Sequence, residues 1–282
     1  MAQNLKLNTA QKVAVEHPEG ALLVLAGAGT GKTRTIVHRI AHLIQFCGVY
    51  PESVLAVTFT NKSAEEMRLR VERTLTRQQA PSWIATFHSV CARILRFEAH
   101  HLGLSPRFTI LNEQDQKKWV KTVAQTLNVP DDTVSVSMYR SFIERARNEG
   151  KLPSEVMEEG SGMHHEQLSQ FYEVYHRTAR ENGTLDFGDL MLAVIQLFRE
   201  HEGVRAAYQE RWSHILVDEF QDTNPAQYTL LKLLSRAPWN ITVVGDDDQS
   251  IYTWRGATVH NILGFESDFS PCKVVALEQN YR

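Results

Sequence analysis

An apolar run, Ala21 to Leu25, leads straight into Ala26-Gly27-Ala28-Gly29-Thr30-Gly31-Lys32-Thr33, and a segment with helical spacing follows at once. Few folds accept that order. The run reads as a buried strand. The glycines let successive backbone N–H groups turn inward around an anion at a helix N-terminus, whose partial positive charge favours it. Lys32 stands where it reaches the outer phosphates of a nucleotide, and the Thr33 hydroxyl where it holds Mg²⁺. Ala26 takes the place of the first glycine in the general phosphate-loop pattern. A glycine-rich turn with an incidental lysine is the competing reading, and it does not account for a strand before the loop and a helix after it.

The rest of the chain fits an α/β fold, a P-loop parallel sheet flanked by helices, around that loop. Val54 to Phe59 reads as a second buried strand and Ser82 to Phe87 as a weaker third, with helical stretches at Lys32 to Phe46, Ala64 to Leu75 and Ser89 to His100. From about Gly103 to Leu185 the strand signals nearly vanish, and apolar residues fall at helical spacing, as at Leu168, Phe171, Tyr172, Tyr175 and Ala179. Turn-rich breaks at Asn128 to Asp132 and Glu149 to Pro153 divide this stretch into several helices. After Asp186 the α/β pattern returns, with strands expected at His214 to Val217, Ile241 to Val244 and Lys273 to Leu277. The pattern describes an all-helical subdomain inserted within one α/β domain.

A phosphate cradle alone does not say what happens to the phosphate. Ile215-Leu216-Val217-Asp218-Glu219 is a buried strand ending in two adjacent carboxylates. Asp218 suits a Mg²⁺ ion held through its water shell, and Glu219, pointing elsewhere, suits a base that orients and deprotonates an attacking water. That pairing favours hydrolysis over transfer to a substrate hydroxyl, with a solvated acidic strand end as the alternative. Asn61-Lys62-Ser63-Ala64 begins like a guanine-reading pattern, but Ala64 stands where the base-pairing carboxylate belongs. Guanine selectivity is therefore unsupported.

Composition sets further limits. With 43% hydrophobic and 22% charged residues the chain is globular in character. Its 30 basic and 33 acidic residues give a net charge of −3, so no global positive field announces a nucleic acid, and any such contact must rest on a local groove. No apolar run reaches the roughly 18 residues of a membrane span, and the polar N-terminus lacks the core of a signal peptide, which predicts a cytoplasmic protein with no membrane partner. Cys47, Cys91 and Cys272 form no paired spacing and read as buried free thiols. The 12 histidines, including His100-His101 and His164-His165, show no metal-ligand spacing and read as surface residues. Arg68, Arg70, Arg73 and Arg77 read as a solvated helix face, with phosphate tracking as the alternative.

The remaining motifs decide the class. Gly245-Asp246-Asp247-Asp248-Gln249-Ser250-Ile251-Tyr252-Thr253-Trp254-Arg255-Gly256-Ala257 follows a strand. Around it sit Leu7-Asn8-Thr9-Ala10-Gln11, Thr58-Phe59-Thr60-Asn61-Lys62, Thr86-Phe87-His88-Ser89, Asp218-Glu219-Phe220-Gln221-Asp222 and Gln279-Asn280-Tyr281-Arg282. Together, and in this order along the whole chain, they resemble the motifs of superfamily 1 ATP-dependent DNA helicases of the UvrD/Rep/PcrA type. The resemblance implies a RecA-like fold with ATP and Mg²⁺ as cofactors. Gln11 is then expected to read the adenine edge, Tyr281 to stack on the adenine face, Arg34 to lie beside the nucleotide and Arg282 to contact the γ-phosphate. Gln249 is expected to sense that phosphate and relay its state to the DNA side, because the same segment carries Tyr252 and Trp254. Trp254, helped by Tyr252, is the implied stacking platform, which suits a protein that must grip any sequence, since base–aromatic stacking is worth about 1–3 kcal/mol per base. Phe59, Asn61, His88 and Arg255 are further candidates for the groove, although Phe59 or Tyr252 taken alone reads as a core residue.

Three positions depart from the family pattern: Ser63 where alanine is usual, Thr253 where a small residue such as glycine is frequent, and Gly188 in Asp186-Phe187-Gly188-Asp189-Leu190, where a second acidic residue is frequent. None removes a catalytic group. Residues 1–103 and 186–282 are expected to form the RecA-like domain and 104–185 the inserted helical domain. Family members place ATP between this domain and a second RecA-like domain that adds an arginine and drives stepping along the strand. The sequence ends at Arg282, inside the fourth motif, so that second domain is expected to be missing. By itself the chain is expected to bind ATP and single-stranded DNA, or single/double-strand junctions, with little turnover. The full-length parent is expected to be a 3′–5′ helicase of repair or replication.

Overall fold

Strands that are apolar on both faces need helices above and below them, and the computed structural model, which describes residues 7–246 and 260–281, answers that demand. In chain order the strands are β1 (Ala21–Ala26), β2 (Val54–Thr58), β3 (Trp83–Thr86), β4 (Thr109–Leu111), β5 (Thr184–Asp186), β6 (His214–Val217), β7 (Ile241–Gly245) and β8 (Cys272–Leu277). The helices are α1 (Thr9–Val15), α2 (Lys32–Gln45), α3 (Asn61–Thr74), α4 (Phe87–Glu98), α5 (Glu113–Thr126), α6 (Thr133–Asn148), α7 (Pro153–Glu159), α8 (Met163–Glu181), α9 (Phe187–Glu200), α10 (Glu202–Arg211), α11 (Pro225–Leu234) and α12 (His260–Asp268). Six strands make one sheet in the order β3-β2-β6-β7-β1-β8, with every neighbouring pair parallel. A parallel sheet delivers all its C-terminal ends to one edge, where ligands of such folds sit. The neighbours β6, β7 and β1 therefore bring Asp218, Asp246 and the phosphate loop to that edge side by side.

Internal contacts divide the chain into two units: Met1–Phe87, Arg205–Asn224 and Leu231–Arg282 form the first, His88–Val204 and Pro225–Leu230 the second. These seams differ from the 103/104 and 185/186 boundaries expected from sequence. The reason is packing: α4 and α9 belong with the helical unit, where Cys91 Sγ lies 3.7 Å from Met191 Sδ and Leu192 joins the helical core. In the sheet unit, Leu22, Val24, Ile36, Ile40, Ala56 and Leu216 lie in one apolar cluster. The buried Arg39 donates to the carbonyls of Ala14, Val15 and His17 and to Thr242 Oγ1, at 2.8 to 3.2 Å. Carbonyls left orphaned at the end of α1 thereby gain a partner that also holds α1 to β7.

The helical unit packs Phe171, Tyr172 and Tyr175 of α8 against Tyr139, whose ring stacks on Phe171 at 4.0 Å. Leu168, Phe171, Tyr172, Tyr175 and Ala179, the residues at helical spacing, are all buried. The parallel pair of β4 with β5 was invisible in the sequence, because three residues per strand are too few for alternation to register. α3 begins at Asn61 rather than Ala64, because Thr60 Oγ1 accepts the Ser63 N–H at 3.0 Å and caps the helix early.

Gly188 has a structural reason. Buried Arg147 donates from Nη1 to Asp186 Oδ2 and from Nη2 to Asp189 Oδ1, both at 2.6 Å, and the Tyr175 hydroxyl adds a 2.7 Å bond to Asp186. A Cβ at position 188 would lie 2.8 Å from Arg147 Cδ. An acidic residue there has no room. Burial works against the charge on Asp189, but the Arg147 guanidinium beside it holds its carboxyl below the usual range.

Two expectations about surface chemistry are corrected. Cys91 is buried, whereas Cys47, just past the end of α2, is exposed and Cys272, opening the edge strand β8, is half-buried. His176 is buried beside Asp189 at 3.5 Å instead of lying on the surface. No helix among the described residues is long and apolar enough to cross a membrane. Arg147→Ala, which leaves two buried carboxylates without their cation, should cost the helical unit about 3–5 kcal/mol in denaturant unfolding. A loss below about 1 kcal/mol would mean the trio does not hold the unit together.

Candidate active site

The loop between β1 and α2 is shaped by two glycines with left-handed backbone, Gly29 at φ 79° and Gly31 at φ 93°. Side chains are strained there. Thr30 folds the turn on itself, its N–H and Oγ1 both donating to the Gly27 carbonyl, at 3.3 and 2.8 Å. Gln11 packs beneath, fully buried, with Nε2 donating to the Thr30 carbonyl at 2.9 Å and Oε1 accepting from the Asn8 N–H at 3.1 Å. A Cβ on Gly31 would meet Gln11 Nε2 at 2.8 Å. The amide has one further N–H and one further lone pair beyond these bonds.

The far end of the chain closes over this loop. The Tyr281 N–H donates to the Gly29 carbonyl at 3.0 Å, Asn280 Nδ2 to the Ala28 carbonyl at 3.0 Å, and Asn8 Nδ2 to the Tyr281 hydroxyl at 2.9 Å. Tyr281, half-exposed, thus stands beside the loop with ring surface to spare.

Lys32 Nζ lies 3.2 Å from Asp246 Oδ2, at the end of β7, and the Thr33 hydroxyl donates to Asp218 Oδ2 at 3.2 Å, at the end of β6. Glu219 occupies the left-handed region at φ 53°, where a non-glycine backbone is uncommon. Burial, reinforced by the neighbouring Glu219 charge, pushes Asp218 up to about 7; the Thr33 hydrogen bond and the Lys32 charge oppose the shift. Asp222 is pushed up to about 6, again by burial first and Glu219 second. A carboxylate beside a hydroxyl is a donor set a divalent cation can take. The open space is a cleft of about 440 Å³ lined by Ala28, Gly29, Gly31, Lys32, Thr33 and Arg34 on one side, with Asp218 and Glu219 across from them.

Two contributors were missed at the sequence level. Gln221 donates from Nε2 to Glu219 Oε2 at 2.8 Å and accepts at Oε1 from the Asp246 N–H at 3.0 Å, so one amide ties the carboxylate strand end to the next strand end. Arg70, read as part of a solvated face, lines the same cleft beside Glu66, 3.5 Å away. Helical spacing on α3 could have separated Arg70 from its neighbours.

The family model for the UvrD/REP helicase N-terminal domain matches residues 7–270. The chain belongs to this family. It is 44% identical over 276 residues to the ATP-dependent DNA helicase PcrA of Staphylococcus epidermidis and 45% identical to that of Staphylococcus aureus, in both cases across 98% of this chain and 38% of the relative. The chain thus spans well under half the length of the curated relatives it matches.

Of the helicase family's implied DNA-side residues, Phe59 is half-buried at the end of β2 and Asn61, the first residue of α3, is exposed. Neither is core. In the helical unit the His88 ring meets the exposed Phe187 edge-on at 5.8 Å. Phe187 was not singled out from sequence, although an aromatic at a helix's first position, with 54% of its surface exposed, is the kind of face a base stacks on. Gln249, Tyr252, Trp254, Arg255 and Arg282 lie outside the described residues.

The raised Asp218 has a thermodynamic consequence. A folded carboxyl near 7 against an ordinary 3.8 binds its proton more tightly than the unfolded chain does, so its contribution lowers stability as pH rises from about 4 to about 7, and the cost is complete above that. Measured as the difference in unfolding free energy between wild type and Asp218→Asn, which cancels the other titrating groups, that loss should appear across the window. A pH-independent difference would contradict the assigned environment.

Proposed function

We propose that the cleft binds Mg²⁺-ATP and that the chain is the first motor domain, with its inserted helical lobe, of an ATP-dependent DNA helicase. The observation that carries this reading is the convergence of four distant segments on one loop: Gln11 under Thr30, Tyr281 on Gly29, Asp218 on Thr33 and Asp246 on Lys32. A ligand with a base, a polyphosphate and a cation would use all four.

In this reading the loop N–H groups of residues 27–33 and Lys32 hold the phosphates, Lys32 exchanging Asp246 for phosphate oxygens on binding. Thr33 and Asp218 hold Mg²⁺, which supplies charge neutralisation on the outer phosphates. Tyr281 covers the adenine face and Gln11 reads its edge, with Arg34 alongside. Glu219, oriented by Gln221, takes a proton from the attacking water. Gln249 and Arg282 complete the γ-phosphate contacts, Trp254 with Tyr252, Arg255, Phe59 and Asn61 contacts the single strand, and His88 and Phe187 of the helical unit are further candidates for contacting it. We further propose that a second RecA-like domain supplies the opposing wall and turns hydrolysis into 3′–5′ stepping, at single strands or junctions, in cytoplasmic repair or replication.

The chain's own ATPase rate, with and without single-stranded DNA, tests the need for that wall. Slow turnover indifferent to DNA is expected, and robust DNA-stimulated turnover would remove it. Trp254→Ala should weaken binding of a labelled single-stranded oligonucleotide about fivefold to 150-fold, the equivalent of about 1–3 kcal/mol per stacked base. Unaltered affinity would sink the stacking role.

A further inference from the structure

Outside the nucleotide cleft, one cluster of metal-ligating side chains stands apart. At the end of α4 the chain turns through a 3₁₀ segment, Ala99–Leu102, closed by Gly103 in the left-handed region. Residues three apart eclipse in such a turn, and Glu98 Oε2 accordingly lies 3.7 Å from His101 Nε2. The His100 ring sits 4.1 Å from the His101 ring, centroid to centroid. The donor atoms of Glu98, His100 and His101 all fall within 4.8 Å of one another, the only such group of three among the described residues. From the end of α9, His201 brings a third imidazole, its ring 4.9 Å from that of His101. His100 and His101 are exposed, and Glu98 and His201 are half-buried, so an ion in solution can reach them.

We propose that Glu98, His100, His101 and His201 form a binding site for a borderline divalent transition ion, with Zn²⁺ the best match. Three imidazole nitrogens and one carboxylate oxygen are a set that Zn²⁺ takes at about 2.0–2.2 Å in tetrahedral geometry. Imidazole disfavours Mg²⁺ and Ca²⁺, which prefer all-oxygen shells. His100 and His101 are exposed, so their rings can turn toward an ion, and Glu98 already lies 3.7 Å from His101. The ion would clamp the end of α4 to the end of α9 within the helical unit. Sequence spacing hid this set, since adjacent histidines do not form a recognised ligand pattern and His201 arrives from a distant helix.

The test is titration of the tag-free, chelator-stripped 282-residue chain with Zn²⁺ against a competing indicator, in excess Mg²⁺. One equivalent should bind and raise the thermal midpoint. The His100→Ala/His101→Ala double variant should lose at least about tenfold to 100-fold in affinity and all of the midpoint shift. His201→Ala alone should weaken binding, while Cys47→Ser and His164→Ala, at other exposed donors, should leave it unchanged. Circular dichroism of each variant checks that it folds. Absence of a stoichiometric site, equal binding by the double variant, or binding that follows Cys47 or His164 would each overturn the proposal.

Discussion

Charge balance at the C-terminal edge of the sheet governs the site. Four carboxylates, Asp218, Glu219, Asp222 and Asp246, stand at this edge, and Lys32 is committed to one of them, Asp246, at 3.2 Å. The deficit is visible in Asp218 and Asp222, both pushed up by burial and by the Glu219 charge. In the proposed reading a polyphosphate bearing Mg²⁺ answers both charges, with the cation at Asp218 and the polyanion at Lys32.

The fold meets the cost of assembling that edge through backbone constraints set far from it. Parallel pairing of β6, β7 and β1 fixes the separation of Asp218, Asp246 and the loop. Gln221 then couples two of these ends through one side-chain amide, and Gly245 allows the approach, since a Cβ there would lie 3.2 Å from Gln221 Oε1. Glu219 and the backbone of Asp246 are thus held by the same side-chain amide.

Much of this was legible in the sequence, for a reason that differs by element. Strands β1, β2, β6 and β7 announce themselves because both faces are apolar, and the loop because its left-handed positions, Gly29 and Gly31, favour glycine. Asp218 was legible as a strand end. Gln221 was not, because its importance lies in a hydrogen bond to a strand end 25 residues away in sequence. Gly188 looked like a lost acid and is instead the space filled by Arg147, a relation that only three-dimensional packing reveals. The contact-defined units have seams other than the expected boundaries for a like reason: α4 and α9 have the periodicity of ordinary sheet-covering helices, and their partners are not written in their own sequences.

If the charge deficit is what the nucleotide answers, the cation should be indispensable to binding itself. A fluorescent ATP analogue titrated into the chain, once in excess Mg²⁺ and once in EDTA, reads this directly. The account predicts that removing Mg²⁺ weakens binding at least about tenfold, or about 1.4 kcal/mol, and that Asp218→Asn narrows the gap by relieving the repulsion. Equal affinity in the two buffers, with the wild-type chain, would contradict it.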